Sequence, residues 1–201
     1  MKAIMMSTQP KWIEKIANDE KKIEVRKKIG KWELPIKVYL YCTKAKPSDT
    51  MLLVDGKLWV VNTQILFYNP STCVNGKVAG EFVCDRIDEY PYRREFGYEI
   101  SEEDFNATML TADEFCGYGN QETLYGLHIS DLKIYDKPKE LSEFRKPCTV
   151  EFNSFACHGC DYYNYHLPLF DGVADLSKSW CSDGSRILMR PPQSWCYVEA
   201  L

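Results

Sequence analysis

Short stretches of alternating apolar and polar residues occur along the whole chain, and several of them end at recognisable turn or capping signals. KAIMMS, near the N-terminus, predicts a strand. The next segment, STQPKWIEKIAN, predicts a short amphipathic helix with Ser7 or Thr8 as its N-cap and Pro10 near its first turn. Its expected apolar face consists of Trp12, Ile13, Ile16 and Ala17. The pattern therefore predicts a strand followed directly by a helix.

Two extended segments follow. In NDEKKIEVRKK, residues 18–28, the residues Ile23 and Val25 fall on one side of an extended chain, and the charged side chains fall on the other: Lys22, Glu24 and Arg26. LPIKVYLYCT predicts a second strand with Pro35 at its entrance. The charged segment is either a solvated strand face or the wall of a pocket.

The middle of the chain indicates a hairpin and a long strand. Residues 51–63, MLLVDGKLWVVNT, place Asp55 and Gly56 between two apolar runs, a strong hairpin signal. We interpret residues 45–75 as an insertion that contains this hairpin. The next segment, GKVAGEFVCDRIDEY, predicts one long strand, and its imperfect alternation is typical of a barrel strand that is buried on both sides.

Signals in the second half predict short helices and further strands. Ser101 to Asp104 and Thr111 to Glu114 both match capping boxes, and Gly117 is expected to end the second helix. TLYGLHISDLKIYDKP predicts a strand, and PKELSEF predicts a helical turn that begins at Pro138. SWCYVEA predicts a closing strand. The expected fold is α+β: a small, mostly antiparallel barrel with short flanking helices.

Length and charge limit the classes of function. A chain of 201 residues and 23.4 kDa suits a single domain, residues 1–201. The net charge of −4 excludes a global basic field for nucleic acid, although residues 11–31 have eight basic and four acidic side chains, a local excess of +4. No apolar run approaches the length of a membrane span, so we expect a cytoplasmic protein. The sequence does not indicate an oligomeric state.

Several motifs in order resemble one family. EKKIEVRK, preceded by the helix PKWIEKI, resembles the ASCH-domain family, whose usual pattern is Gly-x-Lys-x-x-Glu-x-Arg; the matching residues are Lys21, Glu24 and Arg26. Four further segments are similar to a phage or Gram-positive bacterial subgroup of that family: KVYLYCTK, GKVAGEFVCD, LHISDLKIYDKPKELSEF and RPPQSWCYVE. Asp19 stands where the family pattern has glycine, so the turn before the strand is expected to differ. The resemblance implies a PUA-like barrel.

The resemblance also implies that the barrel crevice binds RNA or a modified nucleotide. Glu24 and Arg26 project to one face of a strand, and Lys21 reaches the same space only if the turn or the strand twist brings it there. Three such groups converging on a crevice can bind a base and a phosphate. Without the resemblance, the same pattern equally describes an exposed strand with ion pairs worth about 0.2–1 kcal/mol each. Candidate stacking residues, each with a core role as the alternative, are Tyr39, Tyr41 and Trp195.

A hydrolase is the alternative function. Some ASCH proteins are similar to amidohydrolases that deacetylate N4-acetylcytidine with a lysine and a threonine of this motif, and others are said to cleave RNA. Lys21 matches the lysine, but Glu24 occupies the place of the threonine and is suited to act as a general base rather than as a nucleophile. Glu81, in the following long strand, is a further candidate carboxylate. His128, within LYGLHIS, is interpreted as a strand histidine rather than a base.

Nine cysteines without a secretion signal favour reduced thiols or metal ligands over disulfides. The spacing C-x8-C-x2-C-x20-C suits tetrahedral Zn²⁺, with the ligands Cys148, Cys157, Cys160 and Cys181. Four thiolates leave no open position, so this zinc is expected to be structural, in a cysteine-rich insertion spanning residues 148–185. His158 and His166 are alternative ligands, and the alternative states of the cysteines are unliganded thiols or a regulatory disulfide. The other cysteines are expected to be small core residues: Cys42, Cys73, Cys84, Cys116 and Cys196.

Overall fold

The computed structural model describes residues 2–64, 68–147, 169–170, 173–174 and 187–201. It confirms an α+β fold with mostly antiparallel strands. In chain order the strands and helices are β1 (Lys2–Thr8), α1 (Pro10–Ala17), β2 (Ile23–Arg26), β3 (Ile36–Cys42), β4 (Thr50–Val54), β5 (Lys57–Val61), β6 (Val78–Cys84), β7 (Ile87–Tyr90), β8 (Tyr92–Arg93), β9 (Gly97–Tyr98), α2 (Glu102–Thr108), α3 (Ala112–Gly119), β10 (Leu124–His128), β11 (Ser130–Lys139), β12 (Leu169–Phe170), β13 (Val173–Ala174) and β14 (Trp195–Glu199).

Two sheets form the centre of the molecule. The larger sheet has the order β11, β6, β3, β1, β14, and the smaller has the order β2, β10, β7. Only β1 and β3 pair in parallel among these strands. A parallel pair requires a crossover connection, and here the segment that contains α1 and β2 provides it. Among the described residues the hydrogen bonds define these two open sheets rather than one closed ring of strands.

Two segments that the pattern predicts as single strands each form two strands. Residues 76–90 divide into β6 and β7, and residues 123–138 contain β10 and most of β11. In both segments the chain leaves one sheet and enters the other: β6 and β11 pair in the larger sheet, while β7 and β10 pair in the smaller one. The single-strand predictions were wrong because neither bend contains a glycine or a proline, and the pattern of apolar residues does not show which sheet a residue joins.

The predicted hairpin is present as β4 and β5. Asp55 (φ 50°) and Gly56 (φ 74°) both adopt the left-handed conformation that a two-residue hairpin turn requires. The hairpin packs on α1 through Ile13, Met51 and Leu58, which belong to one buried cluster. It therefore covers part of the apolar face of the first helix.

The two short helices begin as predicted, but the second ends later. The Ser101 hydroxyl accepts a hydrogen bond from the backbone of Asp104 at α2, and Thr111 with Glu114 forms both hydrogen bonds of a capping box at α3. Gly117 does not end α3, which continues to Gly119 and is capped by a left-handed Asn120. Asparagine tolerates that conformation, so glycine is not required to stop the helix. None of the three helices in the described residues has the length and apolar character needed to cross a lipid bilayer.

The buried cysteines support a first testable prediction. Cys42 and Cys84 are fully buried, and burial raises the pKa of each thiol to about 12. Cys116 is exposed on α3, which corrects its assignment to the core. At pH 8 the two buried thiols should contain on the order of a thousandfold less thiolate than an ordinary cysteine. We expect iodoacetamide to alkylate Cys116 in the native protein and the buried pair only after denaturation, as measured by peptide mass spectrometry; early labelling of Cys42 or Cys84 would contradict the packing.

Candidate functional site

A tight turn after α1 positions the first site residue. Asp19 adopts a left-handed conformation (φ 64°) at the position where the family pattern has glycine. Aspartate is one of the few residues that tolerate this conformation, so a tight turn forms here without glycine. The backbone N–H of Lys21 then donates to the carbonyl of Lys15, and that of Lys22 donates to Ala107 at the end of α2. These bonds fix the chain just before β2.

The turn brings the three motif residues together as a buried ionic triad of Lys21, Glu24 and Arg26. Glu24 lies between the two cations, with Oε2 3.5 Å from the Lys21 Nζ and Oε1 2.8 Å from the Arg26 Nη2. The side chains are 2%, 7% and 9% exposed, respectively. The exposed-strand interpretation of this segment is therefore wrong. Lys21 reaches the same space as the two strand residues, as the prediction required.

Further hydrogen bonds hold the triad in place. The Lys21 Nζ donates to the carbonyl of Thr108 at 2.6 Å, and the Arg26 Nη2 donates to the carbonyl of Ser7 at 2.9 Å and to the Thr8 Oγ1 at 3.1 Å. The buried Arg26 Nε has no hydrogen-bond partner among the residues that the structure describes. One donor of a buried guanidinium thus remains free beside the triad, which is unusual because buried donors are nearly always paired.

The contact between Arg26 and Thr8 corrects the expected helix cap. Ser7 and Thr8 belong to β1, where Thr8 is paired with Cys42, and Gln9 is the N-cap of α1 without a side-chain capping bond. Their hydroxyl oxygens have other partners, since Ser7 donates to the carbonyl of Pro192 and Thr8 accepts from Arg26. Pro10 occupies the first turn as predicted.

A cavity of about 430 Å³ opens beside the triad. That volume falls in the range of small-molecule sites in proteins. Besides the triad, its walls include the hydroxyl residues Ser7, Thr8, Thr43 and Ser194, the amide residues Gln9 and Gln193, and the aromatic residues Trp12 and Tyr118. The lining is mixed, with several hydrogen-bonding groups around two rings.

The electrostatic balance of the cavity is positive. Lys21 and Arg26 contribute two positive charges against the one negative charge of Glu24, and the remaining charged lining residues, Lys11 and Glu114, neutralise each other at 2.8 Å. Burial lowers the pKa of Lys21, and the nearby Glu24 carboxylate opposes that shift. Because isolated charge is costly to bury, an excess cation here favours an anionic ligand.

The structure places the predicted aromatic residues and Glu81 away from the cavity. Tyr41 is buried in a core cluster with Tyr39, and the Trp195 indole N–H donates to the carbonyl of Lys28 while its ring packs edge-on against Trp32. Glu81 accepts hydrogen bonds from Tyr135 at 2.5 Å and from Lys37 at 3.1 Å. None of the predicted stacking residues, nor Glu81, lines the cavity.

Two aromatic residues that the site prediction missed do line the cavity. The ammonium groups of Lys11 and Lys21 lie 4.2 and 5.1 Å from the centre of the Trp12 ring, and that of Lys27 lies 5.3 Å from the centre of the Tyr118 ring. Trp12 was assigned to the apolar face of α1, and no local pattern links the position of Tyr118 on α3 to the motif. The signal in the sequence that could have found Trp12 is its position within residues 11–31, where lysines are concentrated, because two of those lysines contact its ring.

The predicted zinc ligands and the boundaries of their insertion fall outside the described residues, as do His158 and His166. The structural zinc therefore stays a prediction. A metal analysis that finds about one zinc per purified chain, together with loss of stability on chelation, would support it.

Comparison with known proteins gives a fold. No family model and no curated protein matches the chain. The structure is similar to a crystal structure of ASCH from Zymomonas mobilis, with 12% sequence identity, coverage of 98% of this chain and 87% of that chain, and a TM-score of 0.50. Crystal structures of two mutant forms of the Zymomonas mobilis protein align with 69% of this chain and 76% and 74% of theirs, at 13% and 14% identity and a TM-score of 0.45. The chain has the fold of an ASCH domain.

Proposed function

We propose that the cavity binds a nucleotide or a modified base within RNA, with Lys21, Glu24 and Arg26 as the ligand-binding residues. The observation that supports this most strongly is the buried triad itself, with its excess of one positive charge and the free Arg26 Nε. Burial of these charges lowers the free energy of unfolding, because the attraction between the ions only partly offsets the cost of removing them from water. A buried ionic cluster is therefore more readily explained by ligand binding than by stability. A ligand that supplies a negative charge and an acceptor would complete the site.

The three side chains have complementary chemistry for such a ligand. Arg26 offers a planar fork of donors, which fits a phosphate or the acceptor edge of a base. Glu24 can accept from an exocyclic amino group, and Lys21 supplies a compact positive charge. The rings of Trp12 and Tyr118 lie in the same cavity, and stacking of one base on an aromatic ring is worth about 1–3 kcal/mol.

Hydrolysis of the bound nucleoside or RNA is the second candidate function, and two features of the cavity favour it. The lowered pKa of Lys21 brings its amine closer to the range in which a lysine acts as a general base. The motif lacks a hydroxyl, but Thr8 supplies one that is held by Arg26 at 3.1 Å. In such an enzyme Lys21 and Glu24 would move protons and Thr8 would be the candidate nucleophile, without a part for Glu81.

An incubation experiment separates the two functions. Purified protein is mixed with a panel of modified nucleosides, nucleotides and short RNAs, and bound and converted species are identified by mass spectrometry. A binding protein should return its ligand unchanged, and Lys21→Met should lose that ligand. Conversion that Lys21→Met abolishes and Lys15→Met preserves would establish the hydrolase instead. If no member of the panel is bound or converted, the proposed function is wrong.

A further inference from the structure

Three lysines follow the triad directly in the chain. Strand β2 ends at Arg26, and the next five residues, 27–31, include Lys27, Lys28 and Lys31. Every other basic side chain in residues 11–31 is paired with a carboxylate, whereas these three form no salt bridge within the part of the chain that the structure describes. The local excess of positive charge is therefore concentrated in residues 27–31, the basic loop.

Strand β14 holds the basic loop in place through hydrogen bonds to its backbone. The Trp195 indole N–H donates to the carbonyl of Lys28 at 2.9 Å, and the Tyr197 hydroxyl donates to the carbonyl of Lys31 at 3.1 Å. The Trp195 ring also packs so closely on Gly30 that a Cβ there would lie 2.7 Å from it. Because these contacts use the backbone, Lys28 and Lys31 stay exposed while the loop is fixed in position.

The basic loop adjoins the cavity. The Lys27 ammonium lies 5.3 Å from the centre of the Tyr118 ring, and Tyr118 lines the cavity while being 39% exposed, so it marks a place where the cavity meets the surface. Gln193 and Ser194, which directly precede β14, line the cavity as well. The loop therefore lies between cavity residues at its start, where it follows Arg26, and cavity residues beside its anchor on β14.

We propose that the basic loop binds the phosphates of a single-stranded RNA at the nucleotides next to the one held in the cavity. This inference rests on the proposed function and makes it more specific, because the ligand is then a nucleotide within a strand and not a free nucleoside. A cavity of about 430 Å³ has the size of a small-molecule site, so one nucleotide enters it and its neighbours stay outside. Entry of that nucleotide requires an unpaired base, which a single strand provides.

The charge of the basic loop fits a phosphate backbone that leaves the cavity. Residues 27–35 contain the three lysines and a single carboxylate, Glu33, so this segment has a net charge of +2. Lysines that contact phosphates release the counterions of the nucleic acid, which favours binding. A strand that leaves the cavity past Tyr118 reaches Lys27 first. An acidic peptide would meet the same charges, but nothing would connect it to a nucleotide in the cavity.

Fluorescence anisotropy with a fluorescein-labelled RNA of random sequence and about 12 nucleotides, measured over a range of salt concentrations, tests the proposal. The double variant Lys28→Gln and Lys31→Gln removes two charges but keeps both carbonyls that anchor the loop. We expect it to bind the RNA roughly tenfold more weakly near physiological salt, and to reduce the slope of log association constant against log salt by about 1.4, since each contact to a single strand contributes about 0.7. The control, Lys133→Gln and Lys137→Gln, removes two exposed lysines from β11, at the opposite edge of the larger sheet from β14, and should bind like the wild type. Circular dichroism confirms the fold of each variant.

Lys21→Met, measured with the same RNA, separates this inference from the proposed function. Weaker binding in both Lys21→Met and the loop variant supports a strand that uses the cavity and the loop together. If only Lys21→Met binds more weakly, or if the wild type binds a nucleotide of the panel but not the RNA, the loop proposal is overturned and the proposed function stands. If Lys21→Met binds like the wild type, both are overturned. An equal loss in the loop and β11 variants, or displacement of the RNA by a polyglutamate peptide of similar length, also overturns the loop proposal.

Discussion

Replacement of Glu24 with alanine is expected to lower the free energy of unfolding by about 3–5 kcal/mol. Glu24 is the only carboxylate within salt-bridge distance of Lys21 and Arg26 among the described residues, and all three side chains are buried. Its removal leaves two buried cations close together without a carboxylate partner. Urea denaturation at neutral pH, followed by circular dichroism, measures the loss.

Glu20→Ala is the matched control for this prediction. Glu20 pairs with Lys15 at 3.1 Å, but its side chain is 45% exposed. Pairs of this kind contribute about 0–1 kcal/mol, so the control should unfold close to the wild type. Equal stability of the Glu24 and Glu20 variants would show that the triad is hydrated and is not the buried ionic site described here.

Replacement of Lys21 with methionine is expected to preserve the fold and to weaken binding of a nucleotide or short RNA by about 2–5 kcal/mol. Methionine keeps the length of the side chain and fits the buried site, and Glu24 keeps Arg26 as its partner at 2.8 Å. The variant loses the positive charge in excess, so the site is nearly neutral and attracts an anionic ligand less. Isothermal titration calorimetry with the ligand found in the panel measures the difference.

Lys15→Met controls for the general loss of a positive charge. Lys15 is on the same helix as the cavity residue Trp12, but it does not line the cavity. Its replacement should change affinity by only the small amount expected for a screened surface charge. If both lysine variants bind like the wild type, the ligand does not use the triad.

The ionic triad was predictable because a short local pattern contains most of its geometry. Glu24 and Arg26 share a face through strand alternation alone, and Lys21 needed only a tight turn before the strand. That turn forms although Asp19 replaces the glycine of the family pattern, because aspartate can also adopt the left-handed conformation. The hairpin at Asp55 and Gly56 was predictable for a similar reason, since its turn chemistry is local.

The rest of the site depends on long-range packing. Tyr118 reaches the cavity from α3 and is more than ninety positions from Lys21 in the sequence. No local sequence pattern predicts that the two residues line the same cavity. Glu81 had the right residue type in a central strand, but alternation does not show which face of a sheet adjoins the crevice. Tyr41 was misplaced for the same reason, because aromatic residues of a buried strand are equally suited to the core on its other side.

The division of two predicted strands has the same origin. β6 and β7, and likewise β10 and β11, follow each other with one or two residues between them. Neither connection contains a glycine or a proline, so no turn signal in the sequence marks the point where the partner strand changes. Only the hydrogen-bond partners of each half distinguish the two sheets, and those partners are distant in sequence.

Photocrosslinking tests most directly whether the cavity is the binding site. A short RNA that contains 4-thiouridine is irradiated with the wild-type chain, and the crosslinked residues are identified by peptide mass spectrometry. We expect crosslinks at Trp12 or Tyr118, because these rings line the cavity beside the triad, and we expect Lys21→Met to lose them. Crosslinks confined to residues outside the cavity, such as Trp59 or Trp195, and unchanged in Lys21→Met, would contradict the account.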